Sequence, residues 1–61
     1  MTYDEFTQYL AKYGFINNPL SQEQFKKCHD NTLSLEGVYG IACDMCAGID
    51  FDRAYEINRE R

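Results

Sequence analysis

Apolar side chains recur at Tyr3, Phe6, Tyr9, Leu10 and Tyr13. At about 100° per residue these fall on one face of a helix, with Asp4, Glu5, Gln8 and Lys12 on the other. Thr2 and Glu5 have the spacing of a capping box, a hydroxyl closing the first turn and a carboxylate reaching back. Gly14 suits the left-handed residue that ends a helix, and Phe15 stands where a Schellman motif sets its apolar contact with Leu10. The first helix is therefore expected over Tyr3 to Tyr13.

Pro19 cannot continue a helix and biases Asn18 toward extended backbone, so residues 16–20 read as a connection. Ser21 and Gln24 form a second capping box, with Leu20 and Phe25 at the two positions of a hydrophobic staple. The second helix should run to about His29 or Asn31. Its apolar face is thin (Phe25, Cys28 and part of His29), as befits a lid over the core.

The third segment, Leu35 to Ala47, has Ser34 as cap and Leu33 with Val38 as staple. Its apolar arc takes in Ile41, Met45, Val38, Ala42, Leu35, Cys46, Tyr39 and Cys43, and only Glu36 and Asp44 are charged. A helix apolar over half its circumference is usually central. A strand competes, because Leu33, Leu35, Tyr39 and Ile41 share one parity. Val38, Ala42, Met45 and Cys46 fit only the helical period and decide for helix. Gly37 and Gly40 each cost about 1 kcal/mol relative to Ala. They share a side with Asp44, which invites close approach of another backbone. Gly48 ends this helix. Asp50 then caps a fourth, Phe51 to about Arg59, with Phe51, Ala54 and Tyr55 facing inward. Arg59 and Arg61 suit its C-terminal dipole end, and the last few residues are expected to fray. The fold class expected is all-α: one domain, residues 1–61, a compact bundle of about four short helices with the third (about 35–47) central.

Sixty-one residues make one domain with a thin stability margin. Nine aromatics, five Tyr and four Phe, supply the large side chains a small core needs. The net charge is -4, and of six basic residues only Lys26 and Lys27 are neighbours. With no basic stripe to neutralise a phosphate backbone, direct nucleic-acid binding is not expected. Between Cys28 and Asp52 stand five acids and no Lys or Arg, either a solvated face or a surface that steers toward a basic partner. The N-terminal residues lack a basic start and an apolar stretch, so no signal peptide or membrane span is expected. An odd number of cysteines then suggests a reducing, cytoplasmic setting.

Cys43-Asp-Met-Cys46 is a C-x-x-C pair, and with Cys28 and His29 it could be imagined as a Cys3His zinc site. Neighbours on a helix diverge by about 100°, so Cys28 and His29 do not aim at one ion. The pair also lies inside an apolar helix and not on a turn. Thioredoxin-like chemistry wants the pair at a helix N-terminus, and here it is near the C-terminus. The plain expectation is that Cys28 and Cys46 are small buried hydrophobes, with no metal and no cofactor. His29 reads as a surface residue, its neighbour Asp30 pointing elsewhere. Asp44, Asp50 and Asp52 follow no calcium-loop spacing, and no phosphate loop or hydrolase motif is present. No catalytic residue is expected.

Tyr9 and Tyr13 remain, at the rim of the first helix's apolar face. They serve either core packing or a contact surface, where tyrosine is enriched. The reading carried forward is a non-catalytic protein-binding modulator, an inhibitor or adaptor. It would meet a larger protein with a basic surface through Tyr9 and Tyr13 and the acidic Asp44, Asp50, Asp52 and Glu56. In size and character the chain resembles phage and mobile-element antagonists of host or defence machinery, anti-CRISPR proteins among them; no motif carries that likeness. Two alternatives stay open: a structural metal-binding domain using Cys28, Cys43 and Cys46, and a transcriptional accessory factor with a helix-turn-helix-like core. Homodimerisation is a further way for so small a domain to hide apolar surface.

Overall fold

The computed structural model describes residues 1–60 and contains four helices: α1 (Tyr3–Ala11), α2 (Gln22–Asp30), α3 (Leu35–Cys46) and α4 (Phe51–Asn58). No strand occurs among the described residues, so the fold is the expected all-α bundle. Arg61, expected beside the C-terminus of α4, lies outside the described residues. No described helix is long and apolar enough to cross a membrane.

Each helix begins on a side chain that closes its first turn. Thr2 Oγ1 accepts from the Glu5 N–H at 3.1 Å while Glu5 Oε1 accepts from the Thr2 N–H at 2.8 Å. Ser21 and Gln24 repeat the exchange at 3.1 and 2.9 Å. Ser34 Oγ accepts from the Gly37 N–H, and Asp50 Oδ1 from the Arg53 N–H, both at 3.1 Å. Six otherwise unpaired backbone donors are thereby satisfied.

The first three helices end alike. After α1, the Phe15 N–H donates to the Leu10 carbonyl and the Gly14 N–H to Ala11, both at 3.2 Å, with Gly14 at φ 91°. This is the expected Schellman motif, but α1 stops at Ala11. Its last turn tightens as the Tyr13 N–H bonds the Leu10 carbonyl at 2.9 Å. After α3, Ile49 donates to Asp44 and Gly48 to Met45, both at 3.0 Å, with Gly48 at φ 98°. After α2 the same pattern forms with Thr32 in the left-handed position, at φ 55°. Thr32 has a branched Cβ where the other two motifs have none.

Phe6, Leu10, Leu20, Cys28, Val38, Ile41, Ala42, Phe51 and Ala54 form the buried core, to which all four helices contribute. Phe6 meets Phe25 at 5.3 Å between ring centroids, and Tyr3 meets Phe25 edge-on at 5.8 Å, joining α1 to α2. The Tyr3 hydroxyl donates to the Leu20 carbonyl at 2.6 Å. Asn18 bonds both Thr7 Oγ1 and the Leu20 N–H, which pins the 16–20 connection to α1. The most extensive contact between helices joins α3 to α4. Gly37 is buried and Gly40 half-buried on the side of α3 from which Asp44 reaches α4.

One expectation about burial needs correction, and one burial was not foreseen. Cys46 is exposed: it is the last residue of α3, where the helix runs past the core, and it lines an open groove. Asn58, not expected inside, is 1% exposed. Its Nδ2 donates to Asp44 Oδ2 and to the Ala54 carbonyl, both at 2.8 Å, which makes an interior position tolerable for an amide.

Candidate interaction surface

Tyr9 lies on α1 and Tyr13 in the tightened turn that follows it, four residues on, where the two side chains still meet. Their ring centroids are 5.1 Å apart. Tyr39 of α3 touches both, at 5.8 and 5.5 Å, and also reaches Phe15 at 5.9 Å. All three contacts of Tyr39 are edge-to-face, the arrangement the ring quadrupoles favour. Tyr39 is thus the hub of a four-ring cluster running from the core to the surface. A side-chain hydrogen bond with Tyr13, then burial, holds the Tyr9 phenol above its ordinary value. Burial, then hydrogen bonding with Cys43, does the same for Tyr39. Both rings stay neutral at physiological pH and present hydroxyls, not charge.

The outer end of the cluster opens on a shallow groove of about 530 Å³, lined by Tyr13, Gly14, Phe15, Ile16, Pro19 and Cys46, among others. Tyr13 is 59% exposed and Ile16 95% exposed. None of the described residues lining this groove is charged. The inner end opens on a different recess, of about 330 Å³, where Tyr9 and Tyr39 meet Glu36, Gly40, Asp44 and Asn58.

The acidic residues named from sequence do not form one patch. Asp44 lies in the inner recess with Tyr9, tied to Asn58. Asp50 is engaged as the cap of α4. Asp52 is exposed on the first turn of α4. Glu56 is exposed and sits 3.6 Å from Arg59 Nε. Tyr9, Tyr13 and Asp44 are therefore brought onto one continuous surface, while Asp50, Asp52 and Glu56 belong to α4.

The cysteines separate too. Cys28 is in the core, where burial pushes its thiol up to about 11. Cys43 lines the inner recess and Cys46 the outer groove. Among the described residues no three His, Cys, Asp or Glu side chains are grouped so as to hold an ion. His29 is exposed; its Nδ1 lies 3.9 Å from Asp30 Oδ1, closer than helical divergence suggested. Asp30 is drawn mainly to Lys26, at 2.8 Å, which lowers the carboxyl and raises the ammonium. Lys27 lies over the Tyr55 ring at 4.6 Å and near the Phe51 ring at 5.7 Å.

Three features of this surface escaped the sequence reading: Ile16, the hub position of Tyr39, and the Asn58 bond to Asp44. Only Ile16 left a signal. Phe15 already fills the apolar position of the Schellman motif, so the next apolar side chain has nothing local to cover it. Comparison of the chain with known protein families, with curated proteins and with solved structures gives no match. What can be said of function rests on the small all-α bundle and the surface described.

Proposed function

We infer that the protein works by binding another protein, as a non-catalytic inhibitor or adaptor. The observation that carries this is Ile16, 95% exposed beside a 59% exposed Tyr13, over a groove walled by Phe15 and Pro19 whose described lining is uncharged. Exposed apolar surface of this kind, backed by rigid aromatic rings, is what desolvated interface centres are made of. The aromatic cluster beneath it fixes Tyr13 in place, so little rotamer freedom is lost on binding.

Other features support a protein partner over a nucleic acid. Lys26 and Arg59 face carboxylates, and Lys27 stacks on aromatic rings, so these cations are engaged within the chain. The placement of Cys28 in the core favours no reading in which it joins Cys43 and Cys46 at a metal.

The test is affinity capture from the native cell with the wild-type chain, Ile16→Ser and Gln8→Ala. Ile16 and Gln8 are both exposed, so both variants should fold as wild type, checked by circular dichroism. A protein retained by wild type and Gln8→Ala but lost by Ile16→Ser is expected. Equal retention by all three would remove the groove from the binding site.

A further inference from the structure

We propose that the inner recess takes the guanidinium of an arginine side chain presented by the bound protein. This rests on the protein-binding reading above and adds the chemistry of the partner's contact.

The recess lies where α1, α3 and α4 meet. Its walls are Tyr9 and Tyr39, whose rings stand at 86° with centroids 5.8 Å apart. Gly40 contributes no side chain, which keeps the space open. Glu36 and Asp44 both line it, and among the described residues no Lys or Arg does. Two carboxylates against aromatic walls, with no cation among the described residues of the lining, create a negative potential focused in a concave site. Lys26 lies on Asp30 and Lys27 over Tyr55.

Asp44 is also held in place. Asn58 is buried and its Nδ2 is fixed by the Ala54 carbonyl, and this amide grips Asp44 Oδ2 at 2.8 Å. Among the described residues nothing donates to Asp44 Oδ1, so one oxygen of an oriented carboxylate is open to an outside donor. A guanidinium suits this geometry better than an ammonium. It is planar, weakly hydrated, stacks on aromatic faces and forks its donors toward a carboxylate. The chain shows a cation over a tyrosine ring already, Lys27 at 4.6 Å from the Tyr55 centroid.

The experiment is an amide-resolved NMR titration of the intact protein, at low salt, with N-acetyl-arginine amide. N-acetyl-lysine amide and the neutral isostere N-acetyl-citrulline amide are run beside it. Arginine should give saturable shifts at the Gly40 and Asp44 amides and at the Asn58 side-chain amide. Lysine should act more weakly and citrulline should leave these signals still. Asp44→Asn, which keeps an acceptor for Asn58 and so the fold, should weaken arginine binding severalfold. Asp52→Asn should not. The proposal is overturned if citrulline matches arginine, if lysine equals it, or if the response survives Asp44→Asn. A recess silent to arginine, with capture still abolished by Ile16→Ser, would sink this proposal and leave the binding surface standing.

Discussion

Asn58 Nδ2 and Asp44 Oδ2, fourteen residues apart in sequence, are joined by a 2.8 Å hydrogen bond that ties the last turn of α4 to α3. The amide is almost fully buried, and the carboxylate half-buried at the edge of a recess. Bonds to an ionised acceptor are stronger than neutral ones, and a buried amide must find partners to be tolerated. Asn58→Ala should therefore cost about 1 to 3 kcal/mol in urea unfolding. Asp44→Asn keeps the acceptor without the charge and should cost clearly less. If Asn58→Ala left the midpoint unmoved, α4 would be held by its apolar side chains alone.

The helices of this chain were legible because their ends are written locally. Thr2 with Glu5, Ser21 with Gln24, and Gly14 and Gly48 each act within a few residues, and each forms the bond its spacing implies. Much of the core was legible for the same reason, since Phe6, Leu10, Val38, Ile41 and Ala42 follow helical phase. The site was not. Tyr39 becomes a hub only when α1 packs against α3, and Asn58 finds Asp44 only when α4 does. Cys46 looked buried by angle, but angle says nothing of where along the helix the core stops.

Thr32 bears the left-handed conformation at the end of α2 that glycine bears after α1 and α3. A residue with a Cβ is disfavoured there. Thr32→Gly should stabilise the protein by about 0.5 to 1 kcal/mol, the relief of strain outweighing the freedom glycine adds to the unfolded chain. At Gly48 an added Cβ would meet nothing within 4 Å, so the cost of Gly48→Ala is one of backbone alone. That cost should be about 1 kcal/mol. Thermal melts of the two variants should move in opposite directions; a Thr32→Gly protein that melts earlier than wild type would contradict this.

Burial pushes the Cys28 thiol up to about 11, well above the ordinary thiol range. The folded chain keeps this proton where the unfolded chain loses it. Its contribution is thus fully present below the ordinary thiol value and is lost as pH rises through about 11. The loss should be on the order of 2 kcal/mol across that window. Cys28→Ala, though less stable at neutral pH, should show a shallower alkaline decline. The raised phenols of Tyr9 and Tyr39 act in the same direction and remain in both proteins. Parallel pH profiles for wild type and variant would show that Cys28 is not the group responsible.

The central claim is that the exposed aromatic and aliphatic surface holds a protein partner, with carboxylates guiding its approach. Aromatic anchors in a desolvated centre govern dissociation, whereas rim charges govern association and are screened by salt. The most direct measurement is the dissociation rate of the captured complex, compared among wild type, Tyr13→Ala and Asp52→Asn. Tyr13→Ala should speed dissociation by about tenfold or more. Asp52→Asn should leave dissociation unchanged and slow association only at low salt. An unchanged dissociation rate for a folded Tyr13→Ala protein would contradict the account.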